Sequence, residues 1–163
     1  MIERIEKIIR DYPRNKMELD CLEHQIRNFR GISETDMIDA MTFSQPSGER
    51  VSTSNIADKT MKVGISFRQR MEAINEEWYR HLEKKYFSLL EEIRFFEGAV
   101  RSLKGVEGQV LADMVFEELS WEKLIDKYYV SRSSIARYRK KAISDLAELY
   151  AKNEAEQIAY MLS

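Results

Sequence analysis

Hydrophobic positions in the first part of the chain recur at the spacing of helix faces. Steps of three or four residues separate the members of a first group, Ile2, Ile5, Ile9 and Tyr12. The same spacing separates the members of a second group, Leu19, Leu22, Ile26 and Phe29. Pro13 lies between the groups, and the residue before a proline disfavours the α conformation. The pattern therefore predicts two helices between Ile2 and about Phe29, packed as a hairpin.

A polar segment follows the predicted hairpin. Ser33, with Asp36 three residues later, favours a short capped helix that continues to Met41. The residues from about 42 to 54 are polar and contain Pro46 and Gly48, which are typical of turns and loops. We therefore expect an exposed loop over residues 42–54.

A long apolar stripe runs through the region from about Asn55 to Leu103. Its steps of three and four residues predict a single helix on the order of 55 Å long with a coiled-coil-like seam. Such a helix must bury its stripe against either the N-terminal hairpin or a second subunit. We expect a homodimer whose seam consists of Phe67, Met71, Ile74, Trp78, Leu82, Leu89, Ile93 and Phe96. The glycines of the sequence KGVEG, Gly105 and Gly108, indicate a helix stop or hinge.

The last third of the chain predicts three helices. An apolar face at Val110, Leu111, Met114 and Val115 defines the first helix. Ser120 and Ser131 are placed to cap the second and third helices at their N-termini. Two helices joined by a tight turn form a helix-turn-helix. The residues expected in its core are Leu124, Tyr128, Val130, Ile135 and Tyr138.

Positive charge is concentrated on the last of these helices, although the whole chain has a net charge of −2. The stretch VSRSSIARYRKKA, from Val130 to Ala142, holds five cations and no acid. Arginine can bind guanine through two hydrogen bonds, whereas lysine contributes salt-dependent affinity for phosphates. The alternative is a solvated, charged helix face; the cap, the inward apolar stripe and the preceding helix favour DNA. The residues expected to contact duplex DNA are Arg132, Ser133, Ser134, Ala136, Arg137, Arg139, Lys140 and Lys141.

The stretch LSWEKLIDKYYVSRSSIARYRKKAISDL resembles region four of bacterial sigma factors, which reads the promoter −35 element. The whole chain, including SGERVSTSNIADKT, resembles the RinA/ArpU-like, sigma-like activators of late genes in phages of Gram-positive bacteria. The resemblance implies an accessory transcriptional activator that binds promoter DNA, and it leaves open a contact with RNA polymerase. Most turns of this kind have glycine where Tyr129 stands, because that position often needs a positive φ.

These patterns together predict an all-α protein with two domains. Residues 1–104 would form a helical scaffold and dimerisation region, and residues 105–163 the helix-turn-helix domain. Two rival functions remain open. One is a phage DNA-packaging protein of the small terminase type, although those tend to carry the DNA-binding unit at the N-terminus. The other is an interaction protein that binds RNA polymerase and no DNA.

Composition excludes several other classes of protein. The 163 residues are 44% hydrophobic and 33% charged, and they contain no apolar run near the roughly 20 residues that span a bilayer. The N-terminus does not have the pattern of a signal peptide. With Cys21 as the single cysteine and His24 and His81 as the two histidines, we expect no metal site, no cofactor and no enzyme. A reducing cytoplasm is the expected location.

Overall fold

The computed structural model describes residues 1–33, 35, 36 and 56–163, with the backbone alone from 56 to 67. These residues form long helices and no strand, which confirms the all-α prediction for the described part of the chain. Within that part, every helix is too short or too polar to cross a membrane. The helices are α1 (Ile2–Arg27), α2 (Ile56–Ser102), α3 (Gly105–Val115), α4 (Trp121–Tyr128) and α5 (Arg132–Met161).

The N-terminal hairpin expected from Pro13 does not form, because α1 runs unbroken through that residue. A proline inside a helix removes one backbone hydrogen bond and costs about 3 kcal/mol or more. Apolar side chains on both sides of Pro13 offset this cost, since Ile5 before it and Leu19 and Leu22 after it are buried. Fully burying one such side chain contributes about 1.5–3 kcal/mol. A single helix that buries all three is therefore stable despite the proline.

Packing divides the chain into two compact units, residues 1–19 with 89–163 and residues 20–88. The domain boundary predicted between residues 104 and 105 lies inside the first unit. The reason is a hydrophobic core that combines parts of α1 and α2 with the C-terminal helices. Its buried members are Ile5, Phe96, Ala99, Val100, Leu111, Val115, Ala142, Ile143, Leu146, Ala147 and Tyr150.

Polar contacts also hold α1 against α2 in the first unit. The Tyr12 hydroxyl donates a hydrogen bond of 2.7 Å to Oε1 of Glu97, and Lys16 Nζ lies 3.2 Å from the same oxygen. Burial alone would raise the pKa of Glu97, but the hydrogen bonds from Tyr12 and Lys16 hold it below its usual value. The Tyr12 ring packs 5.2 Å from that of Phe96. The start of α1 is thus an integral part of the unit that contains α3, α4 and α5.

The predicted dimer seam is partly buried within the single chain. Leu82, Ile93 and Phe96 are buried in the single chain, so they are not available to a partner subunit in this fold. Trp78 is half exposed, and the backbone of Phe67 is helical while its side chain lies outside the described residues. The other members are partly exposed: Met71, Ile74 and Leu89. The sequence left two covering surfaces open for this stripe, the N-terminal hairpin and a second subunit, and the single chain buries part of it.

The second unit contains the short segment that follows α1. Asn75 of α2 binds the backbone of Ile32, because its Oδ1 accepts the Ile32 N–H at 2.8 Å and its Nδ2 donates to the Ile32 carbonyl at 3.3 Å. Ser33 and Asp36 form the reciprocal hydrogen bonds of a helix cap, as expected, and residues 35 and 36 are helical. The rest of the predicted short helix, through Met41, and the predicted loop 42–54 lie outside the described residues.

The predicted helix stop in the sequence KGVEG is confirmed, since α2 ends at Ser102 and α3 begins at Gly105. Gly105 has a φ of +81°, a conformation that side chains rarely adopt. A Cβ added at Gly108 would lie 2.7 Å from both the Cβ and the carbonyl oxygen of Leu103. Gly105 therefore supplies the positive φ between α2 and α3, and Gly108 lets α3 pack closely against Leu103.

Candidate nucleic-acid interface

Two serine caps define the starts of α4 and α5, as the sequence predicts. The Ser120 hydroxyl accepts the backbone N–H of Lys123 at 3.4 Å. The Ser131 hydroxyl accepts the backbone N–H of Ser134 at 3.3 Å. Each cap satisfies a backbone donor that has no partner inside its helix. The caps therefore fix where both helices begin and limit the connection between them to residues 129–131.

The connection turns at Tyr129, whose backbone has φ 52° and ψ 43°. This left-handed conformation is the one that glycine usually supplies at the end of a helix. The backbone N–H groups of Tyr129 and Val130 both donate to the Ile125 carbonyl. They thereby provide hydrogen-bond donors for a carbonyl oxygen near the end of the helix. The Tyr129 side chain is almost fully exposed. The turn therefore requires a particular backbone conformation at this residue and no packing of its side chain. The turn thus has the conformation of the glycine-containing turns despite the tyrosine.

The inner sides of α3, α4 and α5 meet in a small hydrophobic cluster. Val110, Leu124 and Ile135, one residue from each helix, are fully buried there. All five residues predicted for the helix-turn-helix core lie in this cluster, and three of them are partly buried: Tyr128, Val130 and Tyr138. The cluster fixes the orientation of α5 relative to α4 and leaves the opposite side of its first turns in solvent.

Asp113 of α3 forms hydrogen bonds at the polar edge of this cluster. Its Oδ2 accepts hydrogen bonds from the Tyr128 hydroxyl at 2.6 Å and from Lys127 Nζ at 2.7 Å. Burial and then the hydrogen bond to Asp113 raise the pKa of Tyr128 to about 12. Sequence reasoning missed Asp113, because it lies far from Tyr128 along the chain and belongs to no local motif.

Replacing Asp113 by alanine is expected to lower the free energy of unfolding by about 1.5–3 kcal/mol, the net contribution of a hydrogen bond to a charged group. The folded-state pKa of Tyr128 lies above its unfolded value of 10.0. Its contribution to stability is therefore complete below pH 10 and is lost as the pH rises through about 12. Urea unfolding at pH 7 measures the first effect, and an NMR titration should show the Tyr128 pKa moving down toward 10 in the variant. Asp126→Ala, at an exposed position of α4, is the control and should change neither quantity.

The outer side of the first turns of α5 is exposed and basic. Most of the residues predicted to contact DNA lie there in solvent: Arg132, Ser133, Ala136, Arg137, Lys140 and Lys141. Ser134 is partly buried, and its hydroxyl lies 3.1 Å from that of Ser131 at the cap. The structure therefore brings six of the eight predicted residues together on one exposed surface, which we call the basic face.

The cations of α5 differ in the acids that surround them. Arg139 is 28% exposed and its Nη1 lies 3.1 Å from Oε1 of Glu6 on α1, so it is directed toward the scaffold instead of the basic face. Lys141 lies 3.1 Å from Asp145, and this hydrogen bond raises its pKa. Within the described part of the chain, neither Arg137 nor Lys140 forms an ion pair with an acid. These two side chains are the ones most free to bind an anionic ligand.

The described residues contain no group of three or more His, Cys, Asp or Glu side chains placed to hold a metal ion. Cys21 is exposed on α1. Comparisons of the chain with models of known protein families, with curated proteins and with solved structures found no match. The case for a function therefore depends on the geometry of α4 and α5.

Proposed function

We propose that the protein is a sequence-specific, duplex DNA-binding transcriptional regulator, of the kind represented by sigma-like activators of phage genes. The observation that carries the proposal is the pair α4 and α5. A capped helix follows a short helix after a three-residue turn, buries one side, and presents a basic face on the other. This is the arrangement in which a recognition helix enters the major groove.

The dimensions and charges of α5 fit this role. A helix with its side chains is about 10–12 Å wide, which matches the roughly 12 Å width of the major groove. The basic face occupies the N-terminal turns, and these are the turns that reach base edges in helix-turn-helix proteins. The net negative charge of the protein disfavours binding of DNA over its whole surface. A local basic face can still attract phosphates.

Different parts of the basic face would have different roles. Arg132 and Arg137 lie near the start of α5, where an arginine can bind guanine through two hydrogen bonds. Lys140 and Lys141 follow by one to two turns, where a lysine would bind phosphates and add salt-dependent affinity. Arg139 would contribute less than these cations, because it pairs with Glu6 of α1 and is partly buried.

The proposal is tested by mixing the purified protein with a pool of phage and bacterial DNA fragments and sequencing the bound fraction at two salt concentrations. Enrichment of one motif that persists at the higher salt is the expected result. If the protein binds as a homodimer, the motif should contain two half-sites about one helical turn, or a multiple, apart. Weak binding that salt abolishes, with no motif enriched, would contradict a sequence-specific regulator.

A further inference from the structure

Arg132, the first residue of α5, is held by the first turn of α4. Its guanidinium carbon lies 5.3 Å from the centre of the Trp121 ring. Its Nη1 lies 3.6 Å from Oε1 of Glu122. The two contacts come from adjacent residues of α4, one an aromatic face and the other a carboxylate. Arg132 is nevertheless 68% exposed and Glu122 72% exposed, so the arginine is restrained without being buried.

The aromatic part of this arrangement is anchored in the protein. Trp121 is partly buried and packs against the cluster formed by Val110, Leu124 and Ile135. A guanidinium stacks well on an aromatic face, because its charge is delocalised over a plane and is weakly hydrated. The contact with the ring restrains the guanidinium of Arg132, while its edge keeps donors that Glu122 does not occupy. An edge with free donors is the part of arginine that binds guanine.

The carboxylate of Glu122 changes how much binding energy Arg132 contributes with a phosphate and with a base edge. Arg132 gains less from a passing phosphate than an unpaired arginine would, because the nearby carboxylate of Glu122 offsets part of its charge and repels a second anion. A base edge offers directed hydrogen bonds to the free donors and carries no full negative charge, so this gain is retained. The pairing therefore weakens binding to any DNA sequence more than it weakens binding to the correct base.

We propose that Trp121 and Glu122 are positioning residues that make Arg132 a determinant of sequence specificity in place of a general phosphate contact. This inference rests on the proposed DNA-binding function and deepens it. Lys140, which has no acidic partner within the described part of the chain, supplies affinity that does not depend on sequence. Glu122 thus lowers total affinity for DNA and raises the ratio of specific to non-specific affinity, which we call the specificity ratio.

The test measures the dissociation constants of wild type and Glu122→Gln for two duplexes at several salt concentrations. One duplex carries the motif selected by the wild-type protein, and the other is a scrambled sequence of the same composition. We expect Glu122→Gln to bind the scrambled duplex more tightly, with a salt slope steeper by about 0.9 as one phosphate contact is gained. The specificity ratio should fall about threefold, the effect of releasing one exposed ion pair.

Glu156→Gln is the matched control. Glu156 is 67% exposed and pairs with Lys152 four residues earlier on the same helix, so the variant loses the same charge and a similar ion pair. It should leave the specificity ratio unchanged. A comparison of Arg132→Ala with the double variant Arg132→Ala and Glu122→Gln separates positioning from general repulsion. The two should have the same specificity ratio, because the residue that Glu122 positions is absent from both.

Trp121→Leu tests the stacking contact, and its thermal unfolding is measured first because Trp121 also packs in the cluster. A folded Trp121→Leu protein should show a reduced specificity ratio with little change in the salt slope. If Glu122→Gln tightened binding to both duplexes equally, Glu122 would act only by electrostatic repulsion, and the inference would be overturned. The proposed DNA-binding function would stand in that case. Failure of the wild-type protein to select any motif would instead remove the proposed function on which the inference rests.

Discussion

Replacing Arg132 and Arg137 together by alanine is expected to reduce affinity for the selected duplex by roughly 30-fold to 10⁴-fold, since an arginine that binds a base edge contributes about 1–3 kcal/mol. Both side chains lie exposed on the basic face, Arg132 against Trp121 and Arg137 with its guanidinium 5.6 Å from the Tyr138 ring. Neither contributes to the buried clusters of the first unit. The variant should therefore remain folded and lose DNA binding.

A variant with the same loss of charge at other positions provides the control. Arg80 and Lys152 are both strongly exposed, and each pairs with an acid four residues away on its own helix. Arg80→Ala with Lys152→Ala should change the affinity for the selected duplex by less than about threefold, the effect of losing exposed ion pairs. Fluorescence anisotropy with a labelled duplex measures both double variants. Equal losses in the two would mean that net charge, and not the basic face, governs binding.

The arrangement of α4 and α5 was accessible from the sequence because its determinants are local. A serine cap acts within three residues, and an apolar stripe repeats every three or four residues along one helix. Ser120, Ser131 and Ile135 could therefore be assigned from their neighbours alone. Tyr129 counted against the turn at the level of sequence, because glycine is usual at that position, yet its backbone adopts the left-handed conformation.

The contacts that the sequence did not reveal join residues far apart in the chain. Pro13 stops a helix according to local rules, yet burial of Ile5 and Leu19 keeps α1 continuous. The pairing of Arg139 with Glu6 spans more than a hundred residues along the chain. No spacing rule connects such residues, because tertiary packing decides which helices meet.

The seam of α2 shows a second limit of sequence patterns. The spacing of Leu82, Ile93 and Phe96 establishes that one side of the helix must be covered, since an exposed apolar stripe of that length is unfavourable. It does not identify the covering surface, which can belong to the same chain or to another. The structure covers these three residues within a single chain. The homodimer therefore remains a prediction.

Replacing Phe96 by alanine is expected to lower the free energy of unfolding by about 3–5 kcal/mol, the usual cost of removing a fully buried phenylalanine. Phe96 is 1% exposed in the core that joins α1, α2, α3 and α5. Domains of ordinary size have a total stability of about 5–15 kcal/mol, so this loss is a large fraction of it. Urea unfolding followed by far-UV circular dichroism measures the change.

Phe87→Ala is the matched control for this prediction, because Phe87 lies on the same helix and is 59% exposed. It should change the free energy of unfolding by no more than about 0.5 kcal/mol. Protein concentration distinguishes the intrachain core from a dimer seam, since the stability of an obligate dimer depends on the concentration of its subunits. The loss in Phe96→Ala should be the same at low and high protein concentration. A loss that appears chiefly in dilute protein would show that Phe96 is covered by a second subunit, as the spacing of the stripe first suggested.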